Sequence, residues 1–171
     1  MERIKSLIRD VPNFPKEGII FKDITPLLGD KEAFRESIDL LVDKIIGEAP
    51  DVIVAVESRG FIFGAPIAYE LHCGFVPVRK KGKLPYKTQQ VEYELEYGVD
   101  VLEIHEDAFP KGAKVVIVDD LLATGGTSLA VVELVKKLGG EVSSLLFLIE
   151  LSFLNGRDRL KDYVVHSLIT Y

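Results

Sequence analysis

A run of four β-branched residues at positions 115–118 (Val-Val-Ile-Val) constrains the fold of this chain more than any other stretch. A continuously apolar run of this length is typical of a strand that is buried on both faces, as in a parallel sheet. Segments 52–56, 75–78 and 142–150 have the same character, and helical patterns lie between these segments. The alternation therefore predicts an α/β fold in which helices flank a central, mostly parallel sheet.

Two acidic residues, Asp119 and Asp120, directly follow the apolar run, at the predicted carboxyl end of its strand. A segment of small residues comes next and consists of Ala123, Thr124, Gly125, Gly126 and Thr127. The glycines allow the backbone to approach a ligand closely, and Thr127 is the predicted N-cap of a helix whose free N–H groups suit a phosphate. The two acids would repel a phosphate and should face hydroxyl groups or a cation. A phosphate beside a diol describes a ribose 5-phosphate, and open α/β sheets bind ligands at this edge.

Positions 115–127 closely resemble the phosphoribosyl-pyrophosphate (PRPP) motif of type I phosphoribosyltransferases, and the resemblance covers nearly the whole chain. The motifs described below are most similar to those of the members that act on adenine. The resemblance implies a type I phosphoribosyltransferase-like fold in a single domain spanning residues 1–171, with a small N-terminal hood near residues 12–28 and a flexible β-ribbon loop near residues 80–104. The alternative for the motif is a strand–turn–helix junction whose acids cap the helix.

The segment 13–28 is rich in Pro and Gly but also apolar, so it must pack either as a flap over a pocket or on the domain core. It is similar to the hood that covers the base in the adenine-specific members. The resemblance implies that Phe21 stacks on the purine, while the backbone at Ile20 and Lys22 bonds to its edge. Many members have Arg at the position of Lys22, and a backbone role tolerates that change. Leu151, at the end of a predicted strand, matches a base-contacting position of the family, with a core leucine as the alternative.

The tetrapeptide Glu57-Ser58-Arg59-Gly60 ends a predicted strand and precedes an apolar helix, so it forms a second candidate anion site. Arg59 offers a fork of donors that suits phosphate oxygens, and an exposed Arg59 paired with Glu57 is the alternative. The resemblance identifies this segment as the pyrophosphate loop. It implies that Ser58 and Arg59 bind the ligand and that a cis peptide bond lies around Glu57 and Ser58.

The stretch Arg79-Lys80-Lys81-Gly82-Lys83, called the basic cluster below, is the one strongly basic stretch of an acidic chain and directly follows a predicted strand. The pattern is compatible with a solvated loop and with a clamp on pyrophosphate. The resemblance matches Arg79, Lys80 and Lys83 to positions that contact PRPP or its pyrophosphate.

Apolar and acidic residues alternate from Val91 to Glu96, which predicts a β-ribbon that turns near positions 97–98. Such a ribbon could close on a site and exclude water, or it could be an ordinary edge hairpin. The string Leu95-Glu96-Tyr97-Gly98 resembles the adenine-specific loop, whose glutamate handles the proton on N7 of the purine. The resemblance therefore assigns Glu96 as the general acid and base.

Local signals also predict where the helices begin and end. An N-terminal helix is expected up to Pro12, because four apolar residues have helical spacing: Ile4, Leu7, Ile8 and Val11. Asp30 is expected to cap a helix that runs to about Gly47. Gly74 is expected to stop the helix that follows Arg59, and Gly139 with Gly140 to close the helix after the PRPP-like motif.

The composition limits the classes of partner. The chain has 171 residues and a formal net charge of −6, which does not indicate a general nucleic-acid binder. Its single cysteine, Cys73, cannot form an internal disulfide, and this fits a reducing cytoplasm. No apolar run approaches the length of a membrane span, and the charged N-terminus does not resemble a signal peptide. We therefore expect a cytoplasmic protein with neither nucleic-acid nor membrane partners.

The resemblance implies a purine salvage enzyme that transfers the 5-phosphoribosyl group of PRPP to N9 of adenine and releases AMP and pyrophosphate. Asp119 and Asp120 would act as catalytic residues that hold the ribose hydroxyls and favour positive charge on the sugar. Mg²⁺ is the expected cofactor, held through PRPP and water rather than by protein ligands, and a homodimer is expected from the resemblance alone. Two alternatives are a PRPP-sensing regulator without catalysis and an enzyme for another purine, such as xanthine or guanine.

Overall fold

The computed structural model describes residues 1–94 and 98–171 and divides into two compact units, Met1–Leu40 and Leu41–Tyr171. The smaller unit contains helix α1 (Glu2–Ser6), strands β1 (Arg9–Pro12) and β2 (Ile20–Asp23), helix α2 (Thr25–Gly29) and the first part of helix α3 (Lys31–Ile45). The segment predicted to be an irregular hood therefore includes one strand and one short helix.

The N-terminal helix is shorter than its apolar spacing predicts. α1 ends at Ser6, and Val11 lies in β1 opposite Phe21 of β2, in an antiparallel pair. An ion pair of 2.7 Å between Arg9 and Asp23 joins the same two strands. Backbone pairing across the two strands outweighs the helical spacing at Val11, so the prediction of a helix up to Pro12 was wrong.

Helix α3 begins where the sequence predicts. The carboxylate of Asp30 accepts hydrogen bonds from the backbone N–H groups of Glu32 at 3.1 Å and Ala33 at 2.9 Å. These are the interactions of an N-cap, so the predicted role of Asp30 is confirmed. A 3₁₀ turn (Ile46–Glu48) follows α3. The α-helix therefore ends slightly before Gly47.

The larger unit is built on one sheet, which within the described residues has the strand order β5-β6-β4-β3-β7-β8-β9. The strands are β3 (Val52–Val56), β4 (Gly74–Lys80), β5 (Thr88–Glu94), β6 (Val99–His105), β7 (Lys114–Leu122), β8 (Glu141–Glu150) and β9 (Val164–Thr170). β4, β3, β7, β8 and β9 are parallel neighbours, and the antiparallel pair β5–β6 joins the end of β4. The predicted mostly parallel sheet is confirmed.

The larger unit also contains helices α4 (Arg59–Glu70) and α5 (Gly126–Lys137). α4 ends earlier than the predicted stop at Gly74, and His72 after it takes the left-handed conformation (φ 54°). The N–H of Cys73 then closes the helix end on the carbonyl of Ala68, and Gly74 opens β4. α5 is followed by Gly139 in the left-handed conformation (φ 80°), as predicted. None of the helices in residues 1–94 and 98–171 has the length and apolar character that crossing a membrane requires.

β7 lies in the centre of the core, and the residues of the 115–118 run are at most 1% exposed. Val91 of β5 and Leu102 of β6 pack in the same apolar cluster as Val131 of α5. The apolar face of the ribbon is therefore part of the core. Most of the described residues of the predicted flexible loop lie in β5 and β6. Residues 95–97, which include part of the turn predicted near positions 97–98, lie outside the described residues.

Candidate active site

The two acidic residues of the PRPP-like motif lie inside β7, near its C-terminal end, rather than after it. β7 continues past the acids because it stays paired with β8 as far as Leu122. Asp119 is partly exposed, and Asp120 is buried with 5% of its surface accessible. The Asp119 carboxylate accepts a 2.8 Å hydrogen bond from the backbone N–H of Asp120.

Burial raises the pKa of both carboxylates. For Asp119 the loss of hydration is the main cause, and the charge of Asp120 raises its pKa further. For Asp120 the guanidinium of Arg59 opposes the effect of burial. Two neighbouring carboxylates that have both lost hydration are costly to ionise together, so positive charge on a ligand beside them would be stabilised.

Arg59 is the first residue of α4, and its Nε lies 3.0 Å from Oδ2 of Asp120. With 33% of its side chain accessible, it is not the exposed arginine of the alternative interpretation. The start of α4 reaches β7 because the next residue is Gly60. A Cβ atom on Gly60 would lie 2.9 Å from Oδ1 of Asp119 and 3.0 Å from the carbonyl oxygen of Val118. This close approach brings the predicted pyrophosphate loop to the acidic pair.

Glu57 binds the end of β4. Its Oε1 lies 3.5 Å from Nε of Arg79 and accepts a hydrogen bond from the backbone N–H of Lys80. The peptide bond between Glu57 and Ser58 is cis, as the resemblance implied. The pyrophosphate loop and the basic cluster are therefore neighbours.

The basic cluster is partly strand. Arg79 and Lys80 are the last residues of β4 and pair with β6, whereas Lys83 follows a turn at Gly82 (φ 79°). The expectation that the whole cluster follows the strand was wrong, because antiparallel pairing with β6 extends β4. Nζ of Lys80 lies 3.0 Å from Oδ2 of Asp100. This hydrogen bond raises the pKa of Lys80 and lowers that of Asp100.

Residues 123–127, called the phosphate loop below, connect β7 to α5. The N-cap of α5 is Gly125 in the left-handed conformation (φ 82°), so the prediction of Thr127 as N-cap was wrong. No described side chain caps this end of α5, and the first N–H groups of a helix have no partner within the helix. A cavity of about 80 Å³ is lined by Asp119, Leu121 and residues 123–128. The structure thus brings one of the predicted acids and the helix N-terminus to the same cavity.

Comparison with known proteins connects this geometry to a family. The sequence model of the phosphoribosyl transferase domain matches residues 28–168. An adenine phosphoribosyltransferase of Thermotoga neapolitana is 61% identical over 168 residues, which cover 98% of this chain and 99% of the relative. The chain belongs to the adenine phosphoribosyltransferase family. The resemblance seen in the sequence motifs is confirmed.

Solved structures of adenine phosphoribosyltransferases share the fold. The protein from Thermoanaerobacter pseudethanolicus is 59% identical with a TM-score of 0.97, and the match covers 99% of each chain. The Saccharomyces cerevisiae protein is 42% identical with a TM-score of 0.94, and the match covers 98% of this chain and 97% of that one. Its structure was determined with adenine and D-2,5-dideoxy-2,5-imino-altritol 1,6-bisphosphate. These likenesses confirm the predicted type I phosphoribosyltransferase fold.

The residues that adenine phosphoribosyltransferase motifs assign to the base lie partly in the smaller unit. Ile20, Phe21 and Lys22 belong to β2. The ring of Phe21 meets the ring of Phe14 edge to face, with 5.2 Å between the centroids, and Nζ of Lys22 lies 2.6 Å from the carboxylate of Asp10. A cavity of about 200 Å³ in this unit is lined by Val11, Phe14, Phe21 and Asp23. Contact of these residues with a base stays a prediction.

Two further predicted residues of the base site have different outcomes. Leu151 directly follows β8, is 8% exposed and donates its backbone N–H to the carbonyl of Leu122 at 2.9 Å. It is a core residue at the end of a strand beside β7, and its contact with the base stays a prediction. Glu96 lies outside the described residues, so its role as general acid and base also stays a prediction.

Three residues near the site were not identified as functional from the sequence: Gly60, Tyr93 and Asp100. Tyr93 and Asp100 are opposite each other in the β5–β6 pair. Burial is the main reason that the pKa of Tyr93 is raised, and the Tyr93 side chain also interacts with Thr127 and Asp100. The alternation of apolar and acidic residues from Val91 onward places Tyr93 on the apolar face of the ribbon. No local signal pairs Asp100 with Lys80, because their contact requires the pairing of β4 with β6.

Proposed function

We propose that this protein is a purine salvage enzyme that transfers the 5-phosphoribosyl group of PRPP to N9 of adenine and produces AMP and pyrophosphate. The observation that carries the proposal is the cavity lined by Asp119 and the start of α5. A helix N-terminus suits a phosphate, and a carboxylate beside it suits ribose hydroxyls. Full-length similarity to adenine phosphoribosyltransferases supports adenine as the base.

The phosphate loop binds the 5-phosphate of PRPP. Its donors are backbone N–H groups of Ala123, Thr124, Gly125, Gly126 and Thr127, together with the hydroxyls of Thr124 and Thr127. The N-terminus of α5 adds a partial positive charge that favours the phosphate. This contact is remote from the reacting carbon, so its binding energy orients C1 of the ribose.

The acidic pair acts on the ribose. N9 of adenine attacks C1 as pyrophosphate leaves, and the transition state resembles an oxocarbenium ion with positive charge on the sugar. Asp119 and Asp120 hold the ribose hydroxyls and stabilise that charge electrostatically. Burial raises the pKa of Asp119, so its ionised form is costly in the free protein. The sugar becomes positively charged only in the transition state, so the cost of ionising Asp119 is offset there and not in the free protein.

The basic residues bind the pyrophosphate that leaves. Its charge is taken up by Ser58, Arg59, Arg79, Lys80 and Lys83. In the free protein Arg59 is paired with Asp120 and Lys80 with Asp100, each at 3.0 Å. Substrate oxygens therefore replace carboxylates as the partners of these two cations. A ligand must carry enough charge to compete with those carboxylates, which favours a polyphosphate over a weaker anion.

The base is bound and activated by a separate set of residues. The ring of Phe21 stacks on adenine, while the backbone at Ile20 and Lys22 bonds to its edge. Leu151 contacts the base from the end of β8. Glu96 manages the proton on N7 as general acid and base.

Mg²⁺ belongs to this proposal because the oxygens of a pyrophosphate group are the hard donors that the ion prefers. The expected ligands are PRPP and water. In the described part of the chain, no three His, Cys, Asp or Glu side chains are arranged to hold a metal ion. Bound to PRPP, Mg²⁺ stabilises negative charge on the leaving pyrophosphate.

The proposal extends to the organisation of the protein. Residues 1–171 act as one phosphoribosyltransferase domain, with a hood at residues 12–28 and a catalytic loop at residues 80–104. We also propose a homodimer, as the family resemblance implies, and a cytoplasmic location. The single free cysteine, Cys73, supports the location because it suits a reducing compartment. Light scattering coupled to size-exclusion chromatography tests the dimer.

Pyrophosphate release from PRPP and Mg²⁺ tests the reaction, with adenine, guanine, hypoxanthine and xanthine offered separately. We expect release with adenine alone. Release with another base would keep the PRPP site and overturn the specificity for adenine. Tight PRPP binding without release for any base would instead identify a PRPP-sensing regulator.

A further inference from the structure

The connection between β8 and β9 contacts the phosphate loop through backbone atoms. It contains two 3₁₀ turns, Ser152–Leu154 and Gly156–Leu160. A Cβ atom on Gly125 would lie 2.6 Å from the carbonyl oxygen of Gly156. A Cβ atom on Gly156 would approach the carbonyl oxygen of Ala123 to less than 3.0 Å, a distance that real Cβ atoms essentially never show. The two segments therefore meet at a separation that only glycine allows.

Gly156 is required for space rather than for backbone conformation. Its φ lies outside the left-handed region, which Gly125 (φ 82°) and Asn155 (φ 54°) both occupy. An alanine at position 156 would suit its own backbone but would press on Ala123. The same Cβ atom would lie 3.0 Å from Cδ1 of Leu122. The contact thus acts on the two residues that join β7 to the phosphate loop.

Arg157 anchors the connection to the sheet. Its Nε and Nη2 donate to the two carboxylate oxygens of Glu150 at 2.6 and 2.8 Å, and its Nη1 donates to the carbonyl of Val165 at 3.0 Å. Ser167 donates a further hydrogen bond of 2.6 Å to Glu150. Burial raises the pKa of Glu150, but the hydrogen bonds from Arg157 and Ser167 outweigh that effect and lower it. A bidentate salt bridge of this kind between arginine and a carboxylate is strong and directional.

We infer that the β8–β9 connection positions the phosphate loop, and that Gly156 and Arg157 are positioning residues for the 5-phosphate of PRPP. This inference rests on the proposed function. Backbone N–H groups stabilise a phosphate only if the loop holds them at the right distance and direction. No described side chain caps the start of α5. Backbone contact with Gly156 restricts the position of the phosphate loop at Ala123 and Gly125. Arg157 is bonded to Gly156 and fixes its position through the contact with Glu150.

Gly156→Ala tests the contact through the binding of three probes, measured by calorimetry: ribose 5-phosphate, AMP, and pyrophosphate with Mg²⁺. We expect at least about 10-fold weaker binding of the first two, which carry a 5-phosphate, and less than about a 2-fold change for pyrophosphate. Gly47→Ala is the matched control, because Gly47 also has φ outside the left-handed region and a Cβ atom there meets nothing within 4 Å. The control variant should bind all three probes as the wild type does.

Arg157→Lys tests the anchor, and it decides the matter if Gly156→Ala does not fold. Lysine keeps the positive charge but cannot form the bidentate salt bridge with Glu150. We expect the KM for PRPP to rise by about 3- to 10-fold, with kcat and the KM for adenine changed by less than about 2-fold. Arg35→Lys is the control, since Arg35 pairs with Asp39 at 3.8 Å on the exposed surface of α3.

The outcomes separate this inference from the proposed function. If the wild type binds neither ribose 5-phosphate nor AMP, both the proposed function and the positioning role are rejected. If the wild type binds these ligands, variants that bind them unchanged overturn the positioning role alone. Equal losses for all three probes, or equal rises in both KM values for Arg157→Lys, also overturn it, because they indicate a general loss of structure. A loss restricted to ligands with a 5-phosphate supports it.

Discussion

The Nε atom of Arg59 lies 3.0 Å from Oδ2 of Asp120, so the first residue of α4 is paired with a buried acid of β7. We propose that Arg59 binds the pyrophosphate of PRPP and that Asp120 binds its ribose. The ion pair therefore links the two halves of the substrate site before substrate arrives. Under this proposal pyrophosphate would compete with Asp120 for the guanidinium of Arg59, so both residues would contribute to the stability of the free protein and to ligand binding.

Arg59→Met should lower the free energy of unfolding at pH 7 by about 1–3 kcal/mol, because it leaves a buried carboxylate without its charged partner. Burial raises the pKa of Asp120 and Arg59 opposes that rise, so the variant should have a still higher Asp120 pKa. A carboxyl pKa raised by folding destabilises the protein above the unfolded-state pKa and has no effect below it. Urea unfolding should therefore show a difference from wild type that shrinks as the pH falls through the raised, folded-state pKa of Asp120 and is absent at the unfolded-state pKa of about 4.

Combining Arg59→Met with Asp120→Asn provides the control for this prediction. The double variant should recover much of the lost stability at pH 7, since no buried charge is left without a partner. A loss of stability in Arg59→Met that is the same at every pH would contradict the electrostatic explanation.

Asp119→Asn should raise the stability of the free protein at neutral pH and lower turnover by at least about 100-fold. Burial and then the charge of Asp120 raise the pKa of Asp119, so the ionised carboxylate destabilises the folded state above the unfolded-state pKa. Asparagine keeps the oxygen that accepts the N–H of Asp120 but removes the charge. The stability gain should vanish as the pH falls below the unfolded-state pKa. Asp107→Asn, at an exposed position, is the control for the loss of one charge, and a stability gain of the same size there would refute the explanation.

Asp100→Asn should strengthen the binding of pyrophosphate with Mg²⁺ by about 2- to 5-fold, because Lys80 loses a carboxylate partner at 3.0 Å. Affinity should also depend more steeply on salt concentration, since more of the Lys80 charge is available to the ligand. Calorimetric titration at two salt concentrations measures both effects. Glu106→Gln removes one negative charge from the start of the turn after β6. An equal gain in that variant would mean that net charge, not the Lys80 pair, sets the affinity.

Glu96→Gln should keep PRPP binding and lower kcat with adenine by at least about 100-fold, because the amide cannot exchange the proton on N7. Steady-state kinetics and PRPP titration measure the two quantities separately. Glu92→Gln is the matched control, since Glu92 is exposed on β5 of the same ribbon. Near-normal turnover in Glu96→Gln would remove Glu96 from the chemistry.

Most of the larger unit could be predicted from the sequence, because its signals are local. The 115–118 run is buried as its β-branched residues require, and Gly139 follows α5 in the left-handed conformation. Two predictions failed because pairing with another strand outweighed a local preference. Val11 joined a strand opposite Phe21, and Lys80 became part of β4 through its pairing with β6.

The sequence by itself determined the family and the alternation of strands and helices, since these depend on residue types and their order along the chain. Only the tertiary structure decided which charges meet. Arg59 reaches Asp120 because β3 lies beside β7, and Lys80 reaches Asp100 because β4 pairs with β6. The role of Gly156 also appeared only in three dimensions. Its own backbone does not require glycine, but the nearby carbonyl of Ala123 and the side chain of Leu122 exclude a larger residue.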